Sequence, residues 1–309
     1  KFGDISMKKF KDFAYKLIII ILLVVISISG FQLYKSLAKY YKARTQYNNT
    51  ARVAGSTKTS GIYTGELNWD SLISQNSDAR AWVYLDGTII NYPIVRGSDN
   101  SFYLTHMFNK AYNGAGTLFM DANAPDNFEA FNTVVYGHHM KDGSMLAAID
   151  KYKSQEFYEK HKQLELITPS AKYHLKVIGF ELVDATSEAY NYYFGSEQDK
   201  QALLDFTAKN NVINTSDQAT VNDKLLTFST CVYATGDERY VLVTKMVPWT
   251  EEELEAAKKE EENKAKLAMN EAKKNANANG DKSNSDKAGR SFLQTVKIGF
   301  DIFKESLSR

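Results

Sequence analysis

The sequence predicts a mainly β domain, an antiparallel or mixed β-barrel rather than a doubly wound sheet. Between about residue 62 and residue 249, short runs rich in Val, Ile, Tyr and Phe recur between turn residues. Only two helical stretches interrupt them, so the strands are not separated by the regular helices that a βαβ architecture needs. Hydrophobic residues make up 43% of the chain and aromatics 13%, which supplies a core and excludes wholesale disorder.

From the N-terminus, the run LIIIILLVVISISGFQLY (17–34) contains no charge and has the length of a short membrane-spanning helix. Lys1, Lys8, Lys9, Lys11 and Lys16 precede it against Asp4 and Asp12, which predicts a cytoplasmic N-terminus, residues 1–16. Lys35, Lys39, Lys42 and Arg44 on the other side weaken that bias. A cleaved signal peptide is the rival reading. No A-x-A site follows the apolar run, so an uncleaved signal-anchor is favoured. Residues 35–61 are polar and basic, end near AGSTKTSG and read as a stalk and linker.

The domain proper spans 62–249. AWVYLDGTIINYPIV (81–95) reads as two strands around Asp86-Gly87. FNTVVYGH (131–138), KYHLKVIGFELV (172–183), KLLTFSTCVY (224–233) and RYVLVTKMV (239–247) are further strands. The helical stretches are 142–161, read as two short helices, and 196–210, with Ser196 as N-cap. Thr250 and Glu253 have capping-box spacing and open a Glu/Lys/Ala-rich solvated helix to about Lys274. NANANGDKSNSDKAG (275–289) has the composition of a disordered linker, and 291–307 returns to an amphipathic helical period.

Charge and cysteine usage narrow the function. Lys and Arg total 38 against 37 Asp and Glu, a net charge of +1, which argues against a nucleic-acid binder held by a broad basic surface. With one cysteine, Cys231, neither an intrachain disulfide nor a cysteine-rich zinc site exists, and none of the five histidines forms an HExxH pair. No spacing points to a metal or a cofactor.

The candidate chemistry gathers around Cys231. Alternation along 224–233 puts Leu226, Phe228, Thr230 and Val232 on one face, the core side. Leu225, Thr227, Ser229 and Cys231 fall on the other face, which becomes polar towards the cysteine. A buried free cysteine is the commonest alternative, but an unpaired thiol outside the cell is exposed to oxidation unless its reactivity is used. A tight hairpin centred on Thr235 would set Arg239 opposite Cys231, where a guanidinium can stabilise a thiolate or an oxyanion. Gly137-His138-His139 closes the strand before, and a histidine there suits general acid/base work. Adjacent histidines on an extended chain point to opposite sides and do not share one metal.

These residues resemble the sortases, class B in particular. The resemblance rests on Thr227–Cys231, on Gly137-His138, on Arg239 in the strand after the cysteine, and on NTVVYGHHM, INYPIV (90–95) and GSDNSFYL (97–104). It covers roughly 65–248. Phe228 departs from the family's Leu, on the core face, and the tail 250–309 has no counterpart. The resemblance implies a sortase-type eight-stranded β-barrel with peripheral helices, carrying the N-terminal transmembrane helix and the C-terminal helical and disordered tail. It implies a cysteine transpeptidase at a Gram-positive cell surface, single-pass with its catalytic domain outside. Cys231 would attack a threonine carbonyl in a C-terminal sorting motif, and an amine of cell-wall precursor or of a pilin would resolve the thioester. His138, preferred over His139 because it directly follows Gly137, would move the protons, and Arg239 would hold the oxyanion. Asn100, Leu104, Tyr136 and Ser229 match positions lining the family's substrate groove, with Tyr190-Asn191-Tyr192-Tyr193 a further candidate wall. Two other readings stay open at this level: a membrane-anchored thiol hydrolase using the same three residues, and a non-enzymatic tethered binding module.

Overall fold

In the computed structural model, which describes residues 2–56, 66–231 and 237–278, eight strands close into a barrel of mixed direction. In chain order they are β1 (Ala79–Tyr84), β2 (Asn91–Val95), β3 (Leu118–Met120), β4 (Asn132–Tyr136), β5 (Gln163–Ile167), β6 (Lys172–Asp184), β7 (Lys224–Cys231) and β8 (Glu238–Pro248). Around the barrel they run β1-β2-β3-β4-β7-β8-β6-β5, with β2–β3 and β4–β7 parallel and the other pairs antiparallel. Closure removes the exposed sheet edges.

Six of the eight strands follow the sequence pattern, and β3 and β5 were not foreseen. β3 has only three residues, too few for a period to register, and β5 follows a helix by two residues. The link from β1 to β2 is a loop around Asp86-Gly87, with Gly87 at φ +67°. The stretch 142–161 splits into a 3-10 helix, Leu146–Lys153, and α3 (Gln155–Lys160). A further short helix, α2 (Trp69–Gln75), is capped by Asn68, whose Oδ1 accepts from the Ser71 amide at 2.9 Å.

Alternation on β7 produces two cores. Leu226 and Phe228 point into the barrel with Trp82, Ile94, Leu118 and Leu242. Leu225 points outward and joins Val241, Val243, Ile178 and Val183 in a second cluster roofed by Leu203 of α4 (Glu197–Asn210). Ser196 caps α4 as expected, in a full capping box with Asp199. Gly179, at a bulge in β6, lets α4 close on the sheet, since a Cβ there would sit 2.6 Å from Thr207. The residue expected to extend the inward face, Val232, and the hairpin around Thr235 lie outside the described residues.

Two units are compact in themselves, Lys1–Trp249 and Thr250–Arg309. In the first, α1 (Phe2–Val53) is the one described helix long and apolar enough to cross a membrane, and the side chains of its apolar stretch are unburied. The segment read as stalk and linker differs from that expectation: it stays helical to Val53. Ala43, Tyr47, Thr50 and Ala54, three and four residues apart, are buried along one face. In the second unit Thr250 and Glu253 form the expected capping box of α5 (Glu251–Ala278). The helix thus includes the first four residues of the segment read as disordered linker. The remainder of that segment and the amphipathic stretch 291–307 lie outside the described residues.

One buried charge marks the second core. Glu181 of β6 is fully buried and faces Thr207 of α4. Burial pushes its pKa from 4.5 up to about 7, against a smaller opposing effect of Thr207. Between those two values the folded chain holds a proton that the unfolded chain releases, so stability falls as pH rises through the window. Glu181→Gln is therefore expected to melt higher than the parent at pH 8, by about 3 kcal/mol at most, and to match it at pH 5. Equal melting differences at the two pH values would contradict this.

Candidate active site

The end of β4 is shaped by Gly137. A Cβ there would overlap Leu118 and come within 2.8 Å of Leu146. With glycine the chain passes between these two leucines and continues the ladder, its amide donating to the Ser229 carbonyl of β7 at 3.1 Å. The next residue, His138, is half-buried, and its carbonyl accepts from the Leu146 amide at 3.0 Å. Its Nε2 lies 2.7 Å from the Leu104 carbonyl oxygen. A carbonyl only accepts, so Nε2 carries the proton and Nδ1 is the nitrogen able to take one up.

His139 turns the other way, as alternation requires. Its Nε2 meets Asp150 at 3.1 Å and its ring lies 6.1 Å from Tyr240. The remaining histidines serve packing. His106 stacks on Phe102 at 4.0 Å, His161 on Phe157 at 4.0 Å, and buried His174 pairs with Glu165 and stacks on Trp249. Among the described residues no group of three His, Cys, Asp or Glu side chains is placed to hold a metal.

Cys231 is the last residue of β7, and its backbone pairs with Arg239 of β8. On the opposite side β7 runs parallel to β4, with Tyr136 level with Ser229. The Gly137 amide bonded to the Ser229 carbonyl is the last link of that ladder, and His138 follows it at the end of β4 where Cys231 ends β7. Neighbouring strands lie about 4.8 Å apart, so Cys231 and Arg239 are adjacent on β7 and β8, and His138, two residues past the end of β4, emerges at the same end of the barrel. The Arg239 guanidinium donates to the Glu238 carbonyl at 2.9 Å and lowers the pKa of exposed Asp184, whose own Thr186 contacts lower it more.

The candidate substrate residues fall around this end. The Leu104 carbonyl holds His138, while its side chain is over a third exposed. Buried Ser229 shares a hydrogen bond of 2.7 Å with Tyr190, whose ring stacks over Tyr136 at 6.2 Å. The Tyr136 hydroxyl donates to Asp121 at 2.8 Å; burial, followed by Asp121, raises its pKa. Asn100 stands one step back, its Oδ1 accepting from the Ala122 amide at 2.7 Å. Of the tyrosine run, Tyr190 reaches these residues. Tyr192 and Tyr193 line a separate cleft of about 610 Å³ with Phe131, Phe194, Lys200 and Lys224, at the start of β4 and β7. Asp121 and Asp150 escaped the sequence reading. Asp121 directly follows β3, so recognising the β3–β4 pair would have exposed it; nothing local signals Asp150.

Residues 83–247 match the family model described as the Sortase domain. The chain is 31% identical over 230 residues to sortase B of Staphylococcus aureus (strain NCTC 8325 / PS 47), a match covering 74% of this chain and 94% of that protein. It is 28% identical over 229 residues to sortase B of Listeria monocytogenes serovar 1/2a (strain ATCC BAA-679 / EGD-e), covering 72% and 92%. Among solved structures, the Staphylococcus aureus sortase B–substrate complex aligns with a TM-score of 0.61 at 29% identity, over 69% of this chain and 100% of that one. Sortase B from B. anthracis in complex with AAEK1 aligns at 0.62 and 27% identity, over 69% and 100%.

The packing at Gly137 yields a prediction. Gly137→Ala should destabilise the domain by about 1–3 kcal/mol through overpacking against Leu118 and Leu146. Chemical denaturation of the two proteins measures this, and an unchanged midpoint would refute it.

Proposed function

This chain belongs to the sortase family, as a class B member, and is a cysteine transpeptidase of surface-protein anchoring; from that premise we propose that Cys231, His138 and Arg239 carry its chemistry. The observation that supports the assignment is the Cys231–Arg239 pairing of β7 with β8, together with the parallel β4–β7 register that ends one residue short of His138, where the Gly137 amide bonds to Ser229.

His138 takes the Cys231 thiol proton at Nδ1, and the resulting thiolate attacks the carbonyl carbon of a threonine in a C-terminal sorting motif. The new S–C bond leaves a tetrahedral oxyanion, which the Arg239 guanidinium stabilises. As the C–N bond breaks, His138 gives a proton to the departing amine, and a thioester remains. An incoming amine attacks that thioester, His138 takes its proton, and the released thiolate regains a proton from His138, which restores the resting pair. Leu104, Tyr136 and Ser229 border the groove that receives the motif, and Asn100 supports it through the Ala122 backbone. No step needs a metal or a cofactor. The acceptor is an amine of cell-wall precursor or of a pilin.

The N-terminal span 17–34 acts as a single-pass anchor. The lysines before it stay in the cytoplasm, and the catalytic domain is held outside at the membrane, where surface proteins emerge.

Mass spectrometry of products from a sorting-motif peptide library, with oligoglycine or hydroxylamine as acceptor, tests the reading. An amine-capped product is expected; a free-acid product indifferent to added amine would replace transfer with hydrolysis. Cys231→Ala should form no acyl-enzyme while keeping its fold by circular dichroism. Arg239→Lys should lose about 10²-fold or more in kcat, because a point charge does not reproduce the guanidinium fork. Near-parental turnover by either variant would refute its assignment.

A further inference from the structure

The last turns of α1 are built into the loop that holds His138. The Tyr47 hydroxyl donates to the Gly116 carbonyl and lies 3.1 Å from Thr117 Oγ1. Asn113 Nδ2 donates to the Lys39 carbonyl at 3.1 Å, and Asn109 Nδ2 to Gln46 Oε1 at 3.1 Å. Thus three residues of one helix face are tied to the segment 109–117.

That segment is in turn locked to the 3-10 turn Phe102–Leu104. The Thr117 amide donates to the Tyr103 carbonyl at 2.9 Å, and Thr117 Oγ1 donates to the His106 carbonyl at 2.8 Å. Gly116, at φ +61°, lies so close that a Cβ would overlap the Tyr103 carbonyl oxygen and come within 2.8 Å of the Leu104 carbonyl oxygen. The Leu104 oxygen is the atom 2.7 Å from His138 Nε2. An unbroken series of contacts therefore joins Tyr47 to the imidazole.

We propose that Tyr47 is a positioning residue for the transfer reaction: by fixing Gly116 and Thr117 it holds the Leu104 carbonyl where it keeps His138 in the Nε2–H form, with Nδ1 open to the exchanged proton. The proposal rests on the acid/base reading of His138. It ties the membrane-proximal end of α1 to the site through hydrogen bonds that a flexible tether would lack. Removing the hydroxyl spares the packing of the ring, which meets Tyr92 edge-on at 5.2 Å.

The test uses the full chain in detergent, with Tyr47→Phe, and Arg52→Ala on the exposed side of the same helix as control. Nitrogen NMR of the labelled imidazoles, with His138 assigned by its loss in His138→Gln, reads the tautomer directly. The parent and Arg52→Ala are expected to show the Nε2–H form. Tyr47→Phe is expected to show a mixture of tautomers, a kcat lowered about fivefold at nearly constant KM, and a displaced histidine limb in the pH profile. Gly116→Ala should move the same readouts further. A Tyr47→Phe protein with parental tautomer and pH profile overturns the proposal, whatever its melting temperature. Full transfer by His138→Gln overturns the acid/base reading itself, independently of the tautomer, so the two failures are told apart.

Discussion

The parallel pairing of β4 with β7 is the constraint on which the site depends. A parallel pair cannot be made by a hairpin, so the chain leaves β4, completes β5, β6 and α4, and returns as β7. Closure then fixes each register, because a slip of one residue would turn Leu226 and Phe228 out of the core and Leu225 into it. The register that satisfies both cores also brings the end of β4, Cys231 and Arg239 to one end of the barrel. The arrangement of these candidate residues is thus a by-product of the burial pattern.

The outer face of the same strands is used twice. Its lower part is covered by α4 and buries an apolar cluster that includes Leu203 and Val241. Its upper part turns polar at Thr227 and Ser229, whose hydroxyls bond to Asn132 and Tyr190. Asn132 bridges the two parts: it donates to the Ala189 and Asn191 carbonyls and accepts from Thr227 at 2.7 Å. This pins the turn that carries Tyr190 over Tyr136 and Ser229. Glu181, fully buried in the lower part, is a carboxyl group accommodated within this packing.

The N-terminal helix has two chemically distinct ends. Its apolar stretch is unpartnered in the protein, as a lipid-facing helix must be, while Tyr47 and Ala54 are buried among protein groups. A helix transmits position along its length because each added residue is held by its own hydrogen bond. The apolar stretch and the residues packed against the barrel are therefore joined through a single helix.

Alternation, turn residues and apolar runs are local properties, and they sufficed for the β class, six of the strands, the Ser196 cap, the Thr250–Glu253 capping box and the apolar helix. The motif around Cys231, with Gly137-His138 and Arg239, was likewise readable because each piece lies within a few residues of chain. The short strands β3 and β5, the helical continuation to Val53, and the partners Asp121 and Asp150 were not, since three to five residues carry too little periodicity and a side chain's partner is set by which strands meet. The pairing of Cys231 with Arg239 follows from the hairpin expected from the sequence, whereas bringing the end of β4 and His138 to the same end of the barrel was decided only by the parallel β4–β7 pairing. Residues separated by nearly a hundred positions become neighbours through pairing that no local stretch of sequence encodes.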